Sequence, residues 1–250
     1  MRLSHLAVAL SLVSGGLASS SAAQDAKKPP AREFTGDVSF VNVSGNTSIT
    51  TLNVGERFIR RTAPWEFRQD FGTVYGKTDG VESSNLWRAS LRADYGLGAR
   101  WALYALTAFD RNKFAGIESR FAEGVGAVAR LIATDVDQLN LEAGFQVTQQ
   151  RNIDGTNDDF NSLRGATSWK HLFSRGAYVF QSAEVLPNLD TRKDLLVNSE
   201  TALVAPLSSH IGMKASYVVR FDNLPALNAA GTARLRKADR ILSTGVQISF

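Results

Sequence analysis

His171 and His210 are the only histidines beyond the first few residues, so they are the first groups to test for chemistry. A nucleophilic hydrolase needs a serine beside a histidine, and a third group to orient the ring. No G-x-S-x-G occurs in the chain, and neither histidine opens a His-x-Ser grouping. The other suggestive cluster is NDDF, where Asp158 and Asp159 follow Asp154 closely. Paired acids can move protons or hold a divalent cation. Their spacing matches no recognised ligand set, and they read more simply as solvated loop charge. The residue types therefore argue against an enzyme, and no cofactor or metal is expected.

The remaining chemistry-bearing residues are charges set between apolar neighbours. In NLWRASLRADYGL, Trp87, Ala89, Leu91, Ala93, Tyr95 and Leu97 share one face of an extended chain, and Arg88, Ser90, Arg92 and Asp94 share the other. WALYALTAF sets Trp101, Leu103, Ala105, Thr107 and Phe109 on one face. LNLEAGFQVTQ opposes Leu139, Leu141, Ala143, Phe145 and Val147 to Asn140, Glu142, Gly144 and Gln146. HIGMKASYVVRF opposes Ile211, Met213, Ala215, Tyr217, Val219 and Phe221 to Lys214 and Arg220. Period two recurs along the chain with no helical stripe, so the fold is predicted to be all-β.

Twelve candidate strands follow, at about 34–43, 49–61, 65–76, 85–97, 101–112, 118–132, 139–151, 160–173, 177–186, 195–205, 210–222 and 238–250. The ninth leaves its apolar face open: Val179, Ala183 and Val185, or Tyr178, Phe180 and Leu186. Alternate connections are short: 62–64, 98–100, 134–138, 174–176 and 206–209. The intervening ones are mostly longer: 77–84, 113–117, 152–160, 187–194 and 222–238, with 44–48 a short exception. Tight turns on one rim and longer loops on the other point to a single antiparallel up-and-down transmembrane β-barrel of about 12 strands. A soluble exported sandwich would alternate in the same way, but would have no reason for the loop asymmetry.

The chain's start fits that reading. Residues 1–23 combine an early Arg2, an apolar run from Leu6 and small residues ending in Ser21-Ala22-Ala23, the pattern of a secretory signal peptide. Residues 24–33, polar and Pro-containing, read as a periplasmic tail, and 34–250 as the barrel. There is no cysteine, so an exported chain of this kind is not held by disulfides. The formal net charge of +4 is spread among acidic residues and forms no basic stripe, so nucleic acid is not an expected partner.

Aromatic residues mark one rim. Trp65, Tyr95, Trp101, Trp169, Phe173, Tyr178 and Phe250 all fall near the predicted periplasmic end, as expected of a girdle at headgroup level. The chain closes on ILSTGVQISF, with Leu242, Thr244, Val246, Ile248 and Phe250 on one face. A membrane barrel cannot leave an edge strand, so this strand must pair with the first. Phe250 then serves as girdle residue and as the terminal signal read by barrel-assembly machinery.

Several stretches together resemble the uncharacterised-domain family of salt-induced outer-membrane proteins. They are VSGNTSITTLNVG (43–55), LRADYGLGARWALYALTAFDRNKFAGIESR (91–120), GVGAVARLIATDVDQLNLEAGF (124–145), VNSETAL (197–203) and SYVVRFDNLP (216–225). The resemblance runs from about Phe34 to Phe250. It implies a barrel in the outer membrane of a Gram-negative bacterium, and no settled biochemical activity. The salt link implies regulation and not mechanism.

Function is then expected inside the barrel. The inward set inferred from the alternation is Arg88, Arg92, Asp94, Arg120, Arg130, Glu142, Gln146, Asn198, Glu200, Lys214 and Arg220. Twelve strands leave more interior than the eight that side chains can fill. Two readings stay open: a narrow passive channel for small polar or ionic solutes, or a plugged structural barrel whose charges pair across the lumen. Outer-membrane lipids are the expected surroundings. Arg234, Arg236, Lys237 and Arg240, in and beside the last outer loop, could touch lipopolysaccharide phosphates.

Overall fold

The computed structural model describes residues 30–43 and 49–250; the predicted signal peptide, most of the tail and the 44–48 connection lie outside the described residues. Twelve strands follow in order: β1 (Arg32–Val43), β2 (Ile49–Thr62), β3 (Trp65–Thr78), β4 (Val81–Gly96), β5 (Trp101–Asn112), β6 (Ile117–Ala133), β7 (Asp137–Asn152), β8 (Phe160–Ser174), β9 (Ala177–Pro187), β10 (Leu195–Pro206), β11 (Ile211–Asp222) and β12 (Ala238–Ser249). Each pairs antiparallel with its sequence neighbours, and β1 pairs with β12, which closes the sheet into an up-and-down barrel. Closure satisfies the backbone of every wall strand without an edge, the condition for crossing hydrocarbon.

The predicted alternation sets the wall. Val38, Leu91, Leu103, Val125, Leu163, Leu203, Met213 and Leu242 are all exposed on the outer surface. A belt of this kind is the lipid-facing surface of a membrane barrel. On β9 the register resolves the open face: Val179, Ala183 and Val185 stand beside outward partners, and Tyr178, Phe180 and Leu186 point inward. Tyr178 therefore leaves the predicted aromatic girdle. It lies inside, where its hydroxyl donates to Gln247 Oε1 at 2.9 Å.

One connection is much shorter than the sequence reading had it. Residues 77–84 are not a loop: β3 runs to Thr78, β4 starts at Val81, and Asp79 (φ 50°) and Gly80 (φ 80°) alone make the turn. Two successive positive φ values are the requirement of a type I′ hairpin, for which Asp-Gly is a favoured pair. Among the described residues, the outer rim has a tight hairpin at 79–80 and carries its long connections later, at 153–159, 188–194 and 223–237.

The last residue is hydrogen-bonded into the β1–β12 join. Phe250 N–H donates to Phe34 O, and Phe34 N–H donates back to Phe250 O, both at 2.9 Å. The Phe250 ring stacks on His210, 5.3 Å between centroids.

Candidate functional site

The lumen is built from every second residue of twelve strands, and its filling is uneven. The β5–β10 sector is packed. Arg92 from β4 donates to both Asp94 oxygens at 2.8 and 2.9 Å and reaches Glu142 on β7 at 2.8 Å. Arg164 on β8 donates to the same Glu142 oxygen at 2.6 Å, to Glu184 at 2.6 Å and to Tyr104 Oη at 3.0 Å. Both guanidiniums also lie against the Tyr104 ring, at 4.2 and 5.3 Å from its centroid. Their side chains are 10% exposed and that of Glu142 13%. A charge this buried is tolerated only when paired and fully bonded, which this network achieves with two cations, three carboxylates and a phenol.

Glycine makes the room for it. Gly126 and Gly144 face each other across β6 and β7, and Tyr104 pairs with Gly126 from β5. A Cβ at Gly144 would collide with Tyr104 Oη, and one at Gly126 would come within 2.6 Å of it. The two glycines form a flat floor on which the tyrosine lies. Further out, amides run along the inner face of β7, Gln146 to Thr148 at 3.2 Å and Gln150 to Asn152 at 2.7 Å. Phe160, Leu186 and Leu196 close this sector with an apolar cluster.

The β1–β4 sector differs. At mid-height its inner face carries the small residues Ser39, Gly55, Gly72 and Ser90, flanked by charged residues toward the short-turn rim and by the buried Leu86 on β4. Ile59 is the only buried large apolar residue on β1–β3 among the described residues. Two arginines here point inward and still meet water: Arg57, whose side chain is 48% exposed although it bonds Asp70 at 2.5 Å, and Arg88. Lys214 borders the sector from β11, bonding Asp37 at 2.7 Å and lying 3.7 Å from Glu200.

Between the sectors a bridge crosses the lumen. Arg220 on β11 donates to Asp110 on β5 at 3.2 Å, six strands away in a ring of twelve. Asn112, also on β5, donates to Asp239 on β12 at 3.3 Å. Over the outer mouth, the 223–237 loop reaches the β5–β6 connection. There a Cβ at Gly116 would fall 2.7 Å from Ala226 Cβ and 2.8 Å from Leu235 Cδ1. Gly116 also has φ 78°, so this position is reserved to glycine twice over.

Every residue of the inferred inward set lies on the inner face, but in different roles. Arg92, Asp94 and Glu142 join in the buried network, and Asn198 donates to Glu184 at its edge. Gln146, Glu200, Lys214 and Arg220 have partners within the lumen, and Arg120 donates to Gln150 at 2.6 Å. Arg130 turns to the Gly98 carbonyl of the β4–β5 turn at 3.4 Å and lines nothing. Trp65, Tyr95, Trp101 and Trp169 stand on the outer surface at the rim of short turns, Trp65 edge-on to Tyr95 at 5.0 Å. Arg164, Glu184, Tyr104 and Asp110 stand outside the inferred inward set, although they hold the site together. The paired inward glycines at 126 and 144 were the available signal.

The loop carboxylates have separate tasks. Hydrogen bonds from Thr156 hold Asp154 below the usual aspartate range. Burial, with the facing charge of Asp194, pushes Asp158 above it. Asp159 Oδ1 accepts from Gln150 N–H at 3.1 Å, at the top of β7.

The NanC porin has the same architecture, with a TM-score of 0.52 at 9% identity over 86% of this chain and 98% of that one. A bacterial polysaccharide outer membrane secretin gives 0.45 at 8% identity, over 88% of this chain and 97% of that one. The translocator domain of the autotransporter NalP from Neisseria meningitidis gives 0.45 at 13%, over 90% and 89%. At 9% identity the likeness to the porin concerns the fold alone. No curated protein matches the chain in sequence. Residues 36–250 match the sequence profile of DUF481, a protein family of unknown function, and the chain belongs to that family.

Proposed function

We propose that the protein resides in the outer membrane of a Gram-negative bacterium and works as a narrow passive channel for small polar or ionic solutes. The observation that carries this reading is the uneven lumen. The β5–β10 sector is filled, while the β1–β4 wall keeps small inner residues and the water-exposed, inward-facing heads of Arg57 and Arg88. A strip of charged, hydrated wall is what lets a solute exchange its water shell for protein groups. Single-channel recording from refolded protein in a planar bilayer tests it. Discrete steps are expected, and a heat-modifiable barrel that stays electrically silent would overturn it.

A second reading is a barrel shut in its resting state. The Arg220–Asp110 bridge and the 223–237 loop seated on Gly116 favour it, since both stand in the outer half of the path. Silence in wild type, with steps appearing in Asp110→Asn, is the result expected of a shut barrel.

Contact with lipopolysaccharide is a separate proposal. Arg234 is engaged within its loop, donating to the Pro225 carbonyl at 2.7 Å, and Lys237 donates to Asn223 at 2.8 Å. Arg236 and the outward-facing Arg240 are exposed, so phosphate contact falls to these two. Replacing both by Gln is expected to lower barrel retention when divalent cations are chelated; unchanged retention would remove the proposal.

A further inference from the structure

Almost every inward cation near the barrel's middle is bonded to a carboxylate: Arg57 to Asp70, Arg92 and Arg164 to Glu142, Lys214 to Asp37, Arg220 to Asp110. Arg88 is not. It stands directly across the β4–β5 pair from Asp110. That carboxylate is bonded to Arg220, which reaches it from the opposite wall. Among the described residues Arg88 has no ion-pair partner, and it is exposed to solvent while enclosed by the wall. Arg220, of the same sign, thus stands beside the carboxylate that Arg88 faces.

Its direction is set by Gly72, its cross-strand partner on β3. The Arg88 Cγ and Cδ lie 3.4 and 3.5 Å from where a Gly72 Cβ would be. The stem therefore lies over bare backbone, leaning away from β5 toward the small-residue wall. Arg120, the other cation beside Asp110, sits on the far flank of the bridge, half-buried and bonded to Gln150. The sector lined by small side chains thus holds, among the described residues, one inward guanidinium without a carboxylate partner, with the Arg220 guanidinium standing behind the carboxylate it faces.

We propose that Arg88 is the anion-binding group of the lumen, and that it selects small oxyanions, carboxylates or phosphate, for passage along the β1–β4 wall. A guanidinium presents paired N–H donors that match two oxygens of such an anion, which a chloride cannot exploit. The selectivity it confers rests on the channel reading, but the site itself does not, and two measurements keep them apart.

The first is chemical. Refolded barrel is treated with phenylglyoxal, and modification of each arginine is followed by peptide mass spectrometry, with and without inorganic phosphate. Arg88 is expected to react far faster than Arg92, and phosphate is expected to slow it several-fold. The outward Arg60 and Arg240 should show no such protection. The second is the reversal potential in a salt gradient. Wild type is expected to prefer anions, Arg88→Gln to lose about fivefold of that preference, the weight of one unit charge at close range in water-like surroundings, and Arg88→Lys to keep most of it. Currents whose preference is unchanged in Arg88→Gln, together with no phosphate protection, would overturn the anion site and leave the channel standing. Protection at Arg88 in a folded but silent barrel would overturn the channel and leave the anion site standing.

Discussion

On β7 and on β3 the inner face carries the same kinds of polar residue, and the outcome differs. On β7, Glu142, Gln146, Thr148, Gln150 and Asn152 point at neighbours long enough to meet them, and most are buried. On β3, Glu66 and Asp70 find charges on β2 and Arg68 bonds Glu66 on its own strand, while Gly72 leaves the wall bare and the surroundings wet. The difference teaches that polarity does not decide whether a barrel is filled. Side-chain length on the strands opposite does. Tyr104, Arg164 and Arg92 span the β4–β8 region, whereas the mid-height inner residues of β1–β3, Arg57 apart, are short.

The largest expected effect belongs to the packed side. Glu142→Ala leaves Arg92 and Arg164 with a shared partner missing, at a cost of about 3–5 kcal/mol. A lowered temperature for loss of the compact band in cold-detergent gels measures it. The same substitution at Asp70, on the exposed Arg57 pair, should cost under about 1 kcal/mol. Equal costs at the two sites would erase the distinction between sectors.

Glycines give the next contrast. Gly144→Ala forces Tyr104 off its floor and should destabilise by about 1–3 kcal/mol. Gly55→Ala meets only ordinary contacts, with Asp37 Oδ2 at 3.5 Å, and should stay within about 0.5 kcal/mol of wild type. Denaturant midpoints of the refolded variants decide it.

Asp110→Asn weakens the bridge between the sectors. A loss of about 1–2 kcal/mol is expected, from one charge-assisted hydrogen bond, with a larger unit conductance. Unchanged conductance would mean that the bridge does not stand in the path.

The smallest effect is a pH dependence at the mouth. Burial holds the Asp158 carboxyl above the ordinary aspartate range, so its neutral form is the one the fold favours. Local stability should therefore be greatest at acid pH, and should fall as pH rises from the ordinary aspartate range through the raised value. Proteolysis of the 153–159 loop should be slower at about pH 4 than at about pH 7, after correction for protease activity, and Asp158→Asn should flatten the difference.

Much of the wall was legible from sequence because period two is a local property. Trp87 through Tyr95 and Leu139 through Val147 each declare their faces without help from the rest of the chain. The Asp79–Gly80 hairpin was also legible, and was obscured by the polar residues around it. The lumen was only half legible. Alternation places Arg88, Arg92 and Arg220 inside, but it cannot distinguish an arginine that is locked from one that is free. That depends on contacts such as Arg220 to Asp110, which join residues 110 positions apart. Tyr104 was hidden for another reason: flanked on the inner face by Ala102, Leu106 and Ala108, it looks like part of an apolar run.

The join of first and last strands has a consequence for how the ring comes apart. β1 runs alongside β2 over its whole length, from Arg32 to Val43, but meets β12 only from Thr35–Val38 to Val246–Ser249, with Phe34 and Phe250 exchanging the final two hydrogen bonds. Elsewhere neighbouring staves are stitched over nine or more residue pairs. A cylinder yields where it is sewn for the shortest distance. Pulled or heated, this one should open along that line before any other stave loosens.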